Sequence, residues 1–190
     1  DFANAHHYYG FHKTKTGWIY REWAPNADGL YLIGDFNDWD RHAHPMKKIN
    51  DEDWEISIKG IKTIPHGSRL KVLVDANGKI SDRIPLFAKR VERDENGDFA
   101  AIMYNPRSKF KWSDSDFKIK NEDLLIYEAH IGMAGEEGKV STYKEFEKNI
   151  LPKIKKAGYN TVQLMAIAEH PYYGSFGYQV SNFYAPSSWY

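Results

Sequence analysis

Two side chains in the first half of the sequence, Trp39 and Lys71, are of types that bind sugar rings. Trp39 ends the segment 34–39, in which a glycine and an Asn-Asp pair favour a turn after a strand. An indole at the far end of such a turn can stack on the apolar face of a sugar, and a lysine ammonium nearby can donate to its hydroxyls. The alternatives are that Trp39 caps a hydrophobic core and that Lys71 is a solvated strand residue.

A second candidate for chemistry is the carboxylate pair Glu128 and Glu169, because glycosidases place two carboxylates around the bond that they cleave. The segment 174–177 (Gly-Ser-Phe-Gly) lacks the strand-to-helix junction of a phosphate-binding loop. Four histidines have short spacings but no companion carboxylate or cysteine: His6, His7, His42 and His44. We therefore predict neither a metal site nor a cofactor.

The aromatic content is the outlying feature of the composition, at 15%, with 13 Tyr, 10 Phe and 6 Trp. Aromatic residues favour β-strands, so a β-rich core is one interpretation. The other is a carbohydrate-facing protein, because sugar rings dock their apolar faces on flat aromatic side chains. Composition alone leaves both interpretations open.

Charge and hydropathy exclude several classes of function. The 26 basic and 26 acidic side chains give a formal net charge of zero, which argues against a nucleic-acid or anionic-membrane partner. The mean hydropathy of −0.67 and the lack of a long apolar run exclude a transmembrane helix, and residues 1–10 do not look like a signal peptide. The lack of cysteine excludes disulfides and thiol catalysis, and it fits a cytoplasmic location.

Residues 16–104 contain short strand-like runs, separated by turn signals, and no convincing helix. Trp54, Ile56 and Ile58 alternate with polar residues, which predicts a strand with one buried face. The strand-like runs are 18–23, 30–33, 54–58, 70–74 and 99–103. We expect residues 1–15 to be an N-terminal extension and residues 16–104 to form an antiparallel β-sandwich.

From residue 124 the pattern changes to strand, helix and strand, which is one βαβ unit. Apolar runs at 124–132 and 161–167 flank a predicted helix at 141–157. Thr142 and Glu145 have the spacing of a capping box, and Gly158 is placed to end the helix. Pro152 is expected either to kink the helix at 150–151 or to open a second short turn.

The polar and charged segment 105–123 has no periodicity and is interpreted as a linker between the two parts. Three aromatic residues, Phe110, Trp112 and Phe117, are expected to hold it in place.

The first part of the chain resembles the family 48 carbohydrate-binding module that precedes α-glucan enzymes. The residues that carry the resemblance are Trp23-Ala24-Pro25, residues 34–39 (Gly-Asp-Phe-Asn-Asp-Trp) and residues 66–72 (His-Gly-Ser-Arg-Leu-Lys-Val). Related glycogen-binding modules use two tryptophans and a lysine, and Trp39 and Lys71 fall on two of those positions. The position of the second tryptophan falls near Lys79-Ile80, where this chain has none.

The second part resembles the start of the (β/α)8 barrel of α-1,4-glucan branching enzymes, in glycoside hydrolase family 13. The residues that carry it are 127–132 (Tyr-Glu-Ala-His-Ile-Gly), 163–167 (Gln-Leu-Met-Ala-Ile) and 169–179 (Glu-His-Pro-Tyr-Tyr-Gly-Ser-Phe-Gly-Tyr-Gln). The implied fold class is mixed: an immunoglobulin-like antiparallel β-sandwich, followed over residues 124–190 by the first βαβ unit of a truncated barrel.

The resemblance implies that Tyr178 lines the subsite of the glucose that is cleaved, where its ring supports an oxocarbenium-like transition state. It also implies substrate contacts for Gln179, His170 and Tyr173. For Tyr173 the alternative is packing within the loop. The family's catalytic carboxylates lie on later strands, so Glu128 and Glu169 are not expected to be catalytic, and the chain as given is expected to be inactive.

The implied activity of the parent protein is cleavage of an α-1,4-glucan and transfer of the chain to a 6-hydroxyl, which makes α-1,6 branches. The expected partners are α-glucans such as glycogen, amylose and maltooligosaccharides, and self-association through barrel faces left uncovered. Two alternatives stay open: a debranching or trehalose-releasing relative, and a non-catalytic glucan-binding protein.

Overall fold

The computed structural model describes residues 2–119 and 123–190, which divide into two compact units. The first unit comprises the chain up to Asn105 together with Asn182–Ser188, and the second comprises Pro106–Ser181 together with Trp189–Tyr190.

The first unit is an antiparallel β-sandwich, which confirms the prediction for this part of the chain. A 3₁₀ helix, Phe2–His7, precedes its strands. The strands are β1 (Gly10–Lys13), β2 (Gly17–Trp23), β3 (Gly29–Gly34), β4 (Lys47–Lys48), β5 (Asp53–Lys59), β6 (Arg69–Ala76), β7 (Lys79–Arg83), β8 (Val91–Arg93) and β9 (Phe99–Ile102). One sheet has the order β1-β2-β5-β4, and the other has the order β3-β6-β9-β8 with β7 paired to β6.

The core of the sandwich follows from the alternation of side chains along the paired strands. Trp18 lies opposite Ile58 in the register of β2 and β5, and both are buried. Leu32 of β3 and Val72 of β6 are opposite each other in the second sheet and belong to the same core. Strand β1 also pairs with β2, so residues 10–13 of the expected extension are part of this sheet.

A carboxylate occupies one of the inward positions of β2. Glu22 is fully buried, and it accepts hydrogen bonds from the Tyr20 hydroxyl, from Arg83 Nη2 at 3.1 Å and from the Leu86 N–H at 3.3 Å. Burial raises the pKa of the Glu22 carboxyl, and the Arg83 guanidinium opposes this rise. Burial and the Glu22 charge raise the pKa of the Tyr20 hydroxyl, which therefore stays protonated as a donor.

The second unit contains a parallel strand pair with a helix between its members. Strands β10 (Ile126–Ala129) and β11 (Thr161–Leu164) pair in parallel, with Ile126 opposite Thr161. The helical segment comprises Tyr143–Glu145, a π-helical turn Phe146–Ile150, and Leu151–Lys156. The short elements of this unit are the 3₁₀ turns Ile131–Met133 and Tyr173–Ser175 and the strand Ala168–Glu169. One further strand, Asn182–Pro186, belongs to the first unit.

The signals predicted at the ends of the helix are confirmed. The Thr142 hydroxyl accepts from the Glu145 N–H at 3.2 Å, and the Glu145 carboxylate accepts from the Thr142 N–H at 2.9 Å. Pro152 lies in the first turn of the segment Leu151–Lys156, after the π turn, because proline has no N–H to continue an α-helical ladder. Gly158 follows in the left-handed conformation, with a φ of 95°.

The predicted anchoring of the linker by aromatic side chains is wrong. The exposed fractions of Phe110, Trp112 and Phe117 are 74%, 76% and 75%. Phe110 and Trp112 contact each other edge to face, with ring centroids 5.0 Å apart, so these two rings pack on each other rather than on a buried surface. Residues 120–122 of the predicted linker lie outside the described residues. None of the described helices has the length and apolarity needed to cross a bilayer.

Candidate functional site

The turn that carries Trp39 starts directly at the end of β3. The Gly34 N–H donates to Asn37 Oδ1 at 3.0 Å, and the Trp39 N–H donates to the Gly34 carbonyl at 2.9 Å. Asp38 and Trp39 both have left-handed backbones, with φ of 53° and 60°. Aspartate tolerates this conformation, whereas a bulky residue such as tryptophan adopts it at a cost.

A single carboxylate fixes the indole ring of Trp39 to the neighbouring strand. Asp35 Oδ1 accepts from Trp39 Nε1 at 3.0 Å, and Asp35 Oδ2 accepts from the Arg69 N–H at the start of β6 at 2.7 Å. Trp39 is half-buried and is not part of the core cluster, against which Phe36 packs instead. The core-capping alternative for Trp39 is therefore not what the structure shows.

Lys71 lies on β6, opposite Ile33 of β3, and its ammonium is bound by an aspartate. Lys71 Nζ lies 2.7 Å from Asp98 Oδ1 and 2.6 Å from Asp98 Oδ2. The exposed fraction of the Lys71 side chain is 13%, against 59% for that of Asp98. Lys71 is therefore an ordered, ion-paired residue rather than a freely solvated one.

The turn between β8 and β9 is ordered by a second aspartate. Asp94 Oδ1 accepts from the N–H of Asp98 at 2.9 Å and from that of Asn96 at 3.0 Å, and these donors lower the pKa of the Asp94 carboxyl. Arg69 Nη2 donates to Asp94 Oδ2 and to the Asp98 carbonyl, each at 3.2 Å. Because residues two apart on a strand share a face, Arg69 and Lys71 project to the same side of the sheet.

These contacts bring both predicted residues of the first unit onto one surface, through Asp35 and Arg69, which the sequence analysis did not single out. We call Trp39, Asp35, Arg69, Lys71 and Asp98 the Trp39 surface. Asp35 and Arg69 lie within the quoted motifs 34–39 and 66–72, so a signal for them existed. Asp98 lies outside every motif. Near the expected second tryptophan, β7 presents the exposed Ile80, which is apolar but not aromatic.

In the second unit, the loop after β11 presents Tyr178 to solvent, with an exposed fraction of 68%. Its N–H donates to the Ser175 carbonyl at 3.1 Å. Phe176 and Gly177 precede it with left-handed φ of 52° and 86°. A Cβ at Gly177 would lie 2.2 Å from the Ala166 carbonyl oxygen, so only glycine fits there. Gln179, the next predicted residue, is also exposed.

The other two predicted residues of this loop lie deeper. His170 is fully buried; its Nδ1 is 3.0 Å from the Ala168 carbonyl, and its own carbonyl accepts from Trp189 Nε1 at 2.9 Å. This is not the position of a direct sugar contact, because the imidazole has no open face. Tyr173 is half-buried, and its ring lies edge-on to His130 with centroids 6.2 Å apart.

His130, at the end of β10, is a buried residue that the sequence analysis did not single out. Its Nε2 lies 3.1 Å from the Tyr190 hydroxyl, and burial lowers the pKa of its imidazole. The ring therefore stays neutral near pH 7 and contributes packing to the base of the loop rather than a charge.

Glu128 and Glu169 do not have the environment of a catalytic pair. Glu128 is exposed and accepts from Gln163 Nε2 at 3.3 Å. Glu169 is fully buried, and its Oε1 accepts from the His170 N–H at 3.0 Å. A pair that cleaves a glycosidic bond needs both carboxylates open to one substrate. Over residues 2–119 and 123–190, no three His, Asp or Glu side chains gather as a set of metal ligands.

Comparison with known families covers most of the Trp39 surface. Residues 8–88 match the family described as "Carbohydrate-binding module 48 (Isoamylase N-terminal domain)". This range contains Trp39, Asp35, Arg69 and Lys71 but not Asp98.

The whole chain is also similar to proteins named 1,4-alpha-glucan-branching enzyme. The protein of Rhizophagus irregularis is 48% identical over 100% of this chain and 29% of its own length. That of Dictyostelium discoideum is 45% identical over 98% of the chain and 28% of its own length, and that of Equus caballus is 43% identical over 100% and 28%. The chain thus spans less than a third of the length of these relatives.

Solved structures support the fold alone, because their sequence identity is low. A pullulanase from Bacillus acidopullulyticus superposes with a TM-score of 0.73 at 18% identity, over 96% of this chain and 25% of its own. The catalytic module of the glycogen-degrading pneumococcal virulence factor SpuA gives a TM-score of 0.69 at 19% identity, over 96% and 32%. In sequence, the chain is similar over 98–100% of its length to a segment of proteins named 1,4-alpha-glucan-branching enzyme, and residues 8–88 within it match carbohydrate-binding module 48.

Proposed function

We propose that this chain is part of an enzyme that cleaves α-1,4-glucan chains and transfers them to a 6-hydroxyl, making α-1,6 branches. The observation that carries the proposal is the 48% identity to a branching enzyme over 100% of the chain, which includes both units. In this proposal residues 16–104, extended by strand β1, are the glucan-binding module, residues 105–123 are the linker, and residues 124–190 begin a (β/α)8 barrel.

Three observations support the barrel in this proposal. Strands β10 and β11 are parallel with a helix between them, which is the repeating unit of such a barrel. Tyr178 lies on the loop that follows β11, and in these barrels the active site is built from the loops at the carboxyl ends of the strands. The mostly exposed side chains of Leu124 and Leu125 are the apolar surface that neighbouring strands would cover.

Each site residue has a role in the proposed reaction. Trp39 stacks on a glucose ring of the bound chain, and Lys71 donates to its hydroxyls. Tyr178 lines the subsite of the cleaved glucose, where an aromatic face stabilises positive charge that develops at the anomeric carbon. Gln179 donates to sugar hydroxyls beside it. Tyr173 and His170 are proposed as positioning residues of this loop, since the His170 side chain is buried.

The activity is tested on the complete protein that contains this chain, with amylose as the substrate. We expect new α-1,6 linkages, seen by proton NMR, without a matching rise in reducing ends, because chains are transferred rather than released. Loss of α-1,6 linkages from a branched substrate would instead establish the debranching alternative. The 190-residue chain itself is expected to show no rate above the blank, because neither Glu128 nor Glu169 has the environment of a catalytic carboxylate.

Glucan binding by the chain as given is tested by titration with maltoheptaose, followed by tryptophan fluorescence. Replacing Trp39 with alanine is expected to weaken binding by about tenfold, the equivalent of ~1.4 kcal/mol, because the stacking platform is removed. Trp112→Ala is the matched control, since this indole is exposed but belongs to the other unit. An unchanged dissociation constant in Trp39→Ala would contradict the assignment of the site.

Two further parts of the proposal concern the state of the protein. The exposed apolar side chains of β10 and β11, including Ile126 and Leu164, support self-association of this chain, which sedimentation equilibrium would reveal as a mass above 22.1 kDa. We also propose a cytoplasmic location, based on the lack of cysteine. Fractionation of the source cells tests this.

A further inference from the structure

The strand Asn182–Pro186 lies late in the chain but is built into the β-sandwich. The Asn182 side chain is buried, with 3% of the residue exposed, and its Nδ2 donates to the Pro85 carbonyl at 3.2 Å. Ala185, three residues further on, is 1% exposed and belongs to the hydrophobic core of the sandwich. The interior of the first unit therefore includes residues from this late strand.

The Pro85 carbonyl that binds Asn182 is itself held in place by the buried carboxylate of Glu22. Arg83 Nη2 and the Leu86 N–H, on either side of Pro85, donate to Glu22 at 3.1 and 3.3 Å. Because the chain is fixed on both sides of this carbonyl, the acceptor has a defined position. Asn182 is thus attached to an ordered part of the sandwich.

The second polar atom of the Asn182 side chain has no partner. Its Oδ1 is buried and accepts no hydrogen bond from residues 2–119 and 123–190. Leaving a buried acceptor unpaired costs at least as much free energy as one neutral hydrogen bond contributes. The amide therefore adds an attachment point to this position rather than a net gain in stability.

Residues 169–181, which we call the Tyr178 loop, end directly at this attachment point. The loop is closed at its base, where the Ser181 N–H and hydroxyl donate to the Glu169 carbonyl at 2.8 and 3.2 Å. The next residue is Asn182, at which the chain passes from the second unit to the first. Four residues of chain span at most about 14 Å, so the anchored end limits where Tyr178 can lie.

We propose that Asn182 is a positioning residue for the branching reaction. Its bond to Pro85 fixes the end of the Tyr178 loop, and with it the ring that lines the subsite of the cleaved glucose. Being buried, Asn182 does not contact substrate and acts through Tyr178. An aromatic face stabilises a positive charge only when it is correctly placed, and a misplacement of about 1 Å can lower a rate by about 100-fold.

This inference rests on the proposed function for the reaction that Tyr178 serves, whereas the anchoring of the loop is independent of it. In consequence, the β-sandwich contributes to the catalytic step as well as to glucan binding.

The anchoring is tested on the 190-residue chain by hydrogen–deuterium exchange, measured by mass spectrometry. Asn182→Leu removes the donor and the unpaired oxygen together, so we expect the melting temperature to change little. Peptides from the Tyr178 loop should exchange about tenfold faster, the size of one lost hydrogen bond, while peptides from β2 and β5 keep their protection. Unchanged exchange of the loop overturns the proposal.

Asn149→Leu is the matched control for this substitution, since Asn149 is exposed on the helical segment of the second unit. It should leave exchange of the Tyr178 loop as it is in the unmodified chain. Thermal unfolding shows whether each variant is folded, and Asn182→Ala replaces Asn182→Leu if leucine prevents folding.

The positioning role is tested in the complete protein that contains this chain, by branching of amylose. We expect Asn182→Leu to lower kcat about tenfold and to change KM less than about twofold, because the Tyr178 ring acts in the transition state. Faster exchange with an unchanged kcat, or a rise in KM alone, overturns this role. If the unmodified complete protein makes no branches, the proposed function and the positioning role both fail, whereas the exchange result still decides whether Asn182 anchors the loop.

Discussion

Arg83→Met is expected to lower the free energy of unfolding of the β-sandwich by about 3–5 kcal/mol at neutral pH, because it leaves a buried carboxylate without its cation. Glu22 is fully buried, and Arg83 Nη2, at 3.1 Å, is its cationic partner. The Tyr20 hydroxyl and the Leu86 N–H remain as donors, but neither carries a charge. Urea unfolding followed by tryptophan fluorescence measures the loss.

The pH dependence of this loss gives a second, independent check. Burial already raises the pKa of Glu22, and the loss of Arg83 removes a charge that lowers it. The folded-state pKa of Glu22 in the variant is therefore further above its unfolded-state value. The loss of stability in the variant is largest above the folded-state pKa of Glu22. It disappears as the pH falls from the folded-state pKa to the unfolded-state pKa, since below that range the carboxyl is neutral in both states. The deficit of Arg83→Met should accordingly shrink at acidic pH.

Arg41→Met provides the control for this prediction. Arg41 pairs with Asp82 at 2.8 Å, but both side chains are well exposed. Exposed pairs contribute about 0–1 kcal/mol, so the control should lose little stability at any pH. Equal losses in the two variants would show that burial of Glu22 does not determine the effect.

Gly34→Ala is expected to destabilise the sandwich by about 1–3 kcal/mol and to weaken glucan binding as well, because a methyl group here has no room. A Cβ at Gly34 would lie 2.3 Å from the Arg69 carbonyl oxygen and 2.8 Å from Leu70 Cδ2. Gly34 is opposite Leu70 in the register of β3 and β6, so the end of this strand pair must separate. That movement shifts Asp35 away from the Arg69 N–H and releases Trp39.

The measurement combines thermal unfolding with the maltoheptaose titration. Gly138→Ala is the matched control, since a Cβ at Gly138 has no heavy atom within 4 Å among the described residues. The φ of Gly34, 164°, is extended backbone that any residue adopts, so the clash is the only cause. A Gly34→Ala variant that keeps both its melting temperature and its affinity would show that β3 and β6 adapt without cost.

The sequence predicts the central strands well and the edge strands poorly. The runs in β2, β3, β5, β6 and β9 have apolar residues on their inward faces, and this alternation is visible without a structure. Strands β4 and β7 are polar and almost wholly exposed, and they form only because a neighbour offers backbone hydrogen bonds. The Asn77-Gly78 pair is typical of a hairpin turn, but nothing in Lys79–Arg83 itself predicts the strand that follows it.

The candidate site shows the same division between local and non-local information. Trp39 and Lys71 are identified by residue type and by motif, which are properties of short segments. The partner of Lys71, Asp98, is 27 residues away, and Arg83 is 61 residues from Glu22. Both pairings depend on how the strands align, which no local pattern specifies. The prediction that aromatic side chains anchor the linker is wrong for a related reason, because an apolar side chain is buried only where the fold supplies a surface for it.

The left-handed backbone at Trp39 bears on how this position can evolve. A left-handed conformation costs a residue other than glycine roughly 1–2 kcal/mol, and asparagine and aspartate less than most. Mutation under selection for thermal stability alone would move position 39 towards glycine or asparagine. A tryptophan at that φ of 60° therefore carries a backbone cost, which its hydrogen bond to Asp35 and its partial burial have to offset. In a directed-evolution experiment selected only for heat resistance, this codon should be among the first to lose its aromatic ring.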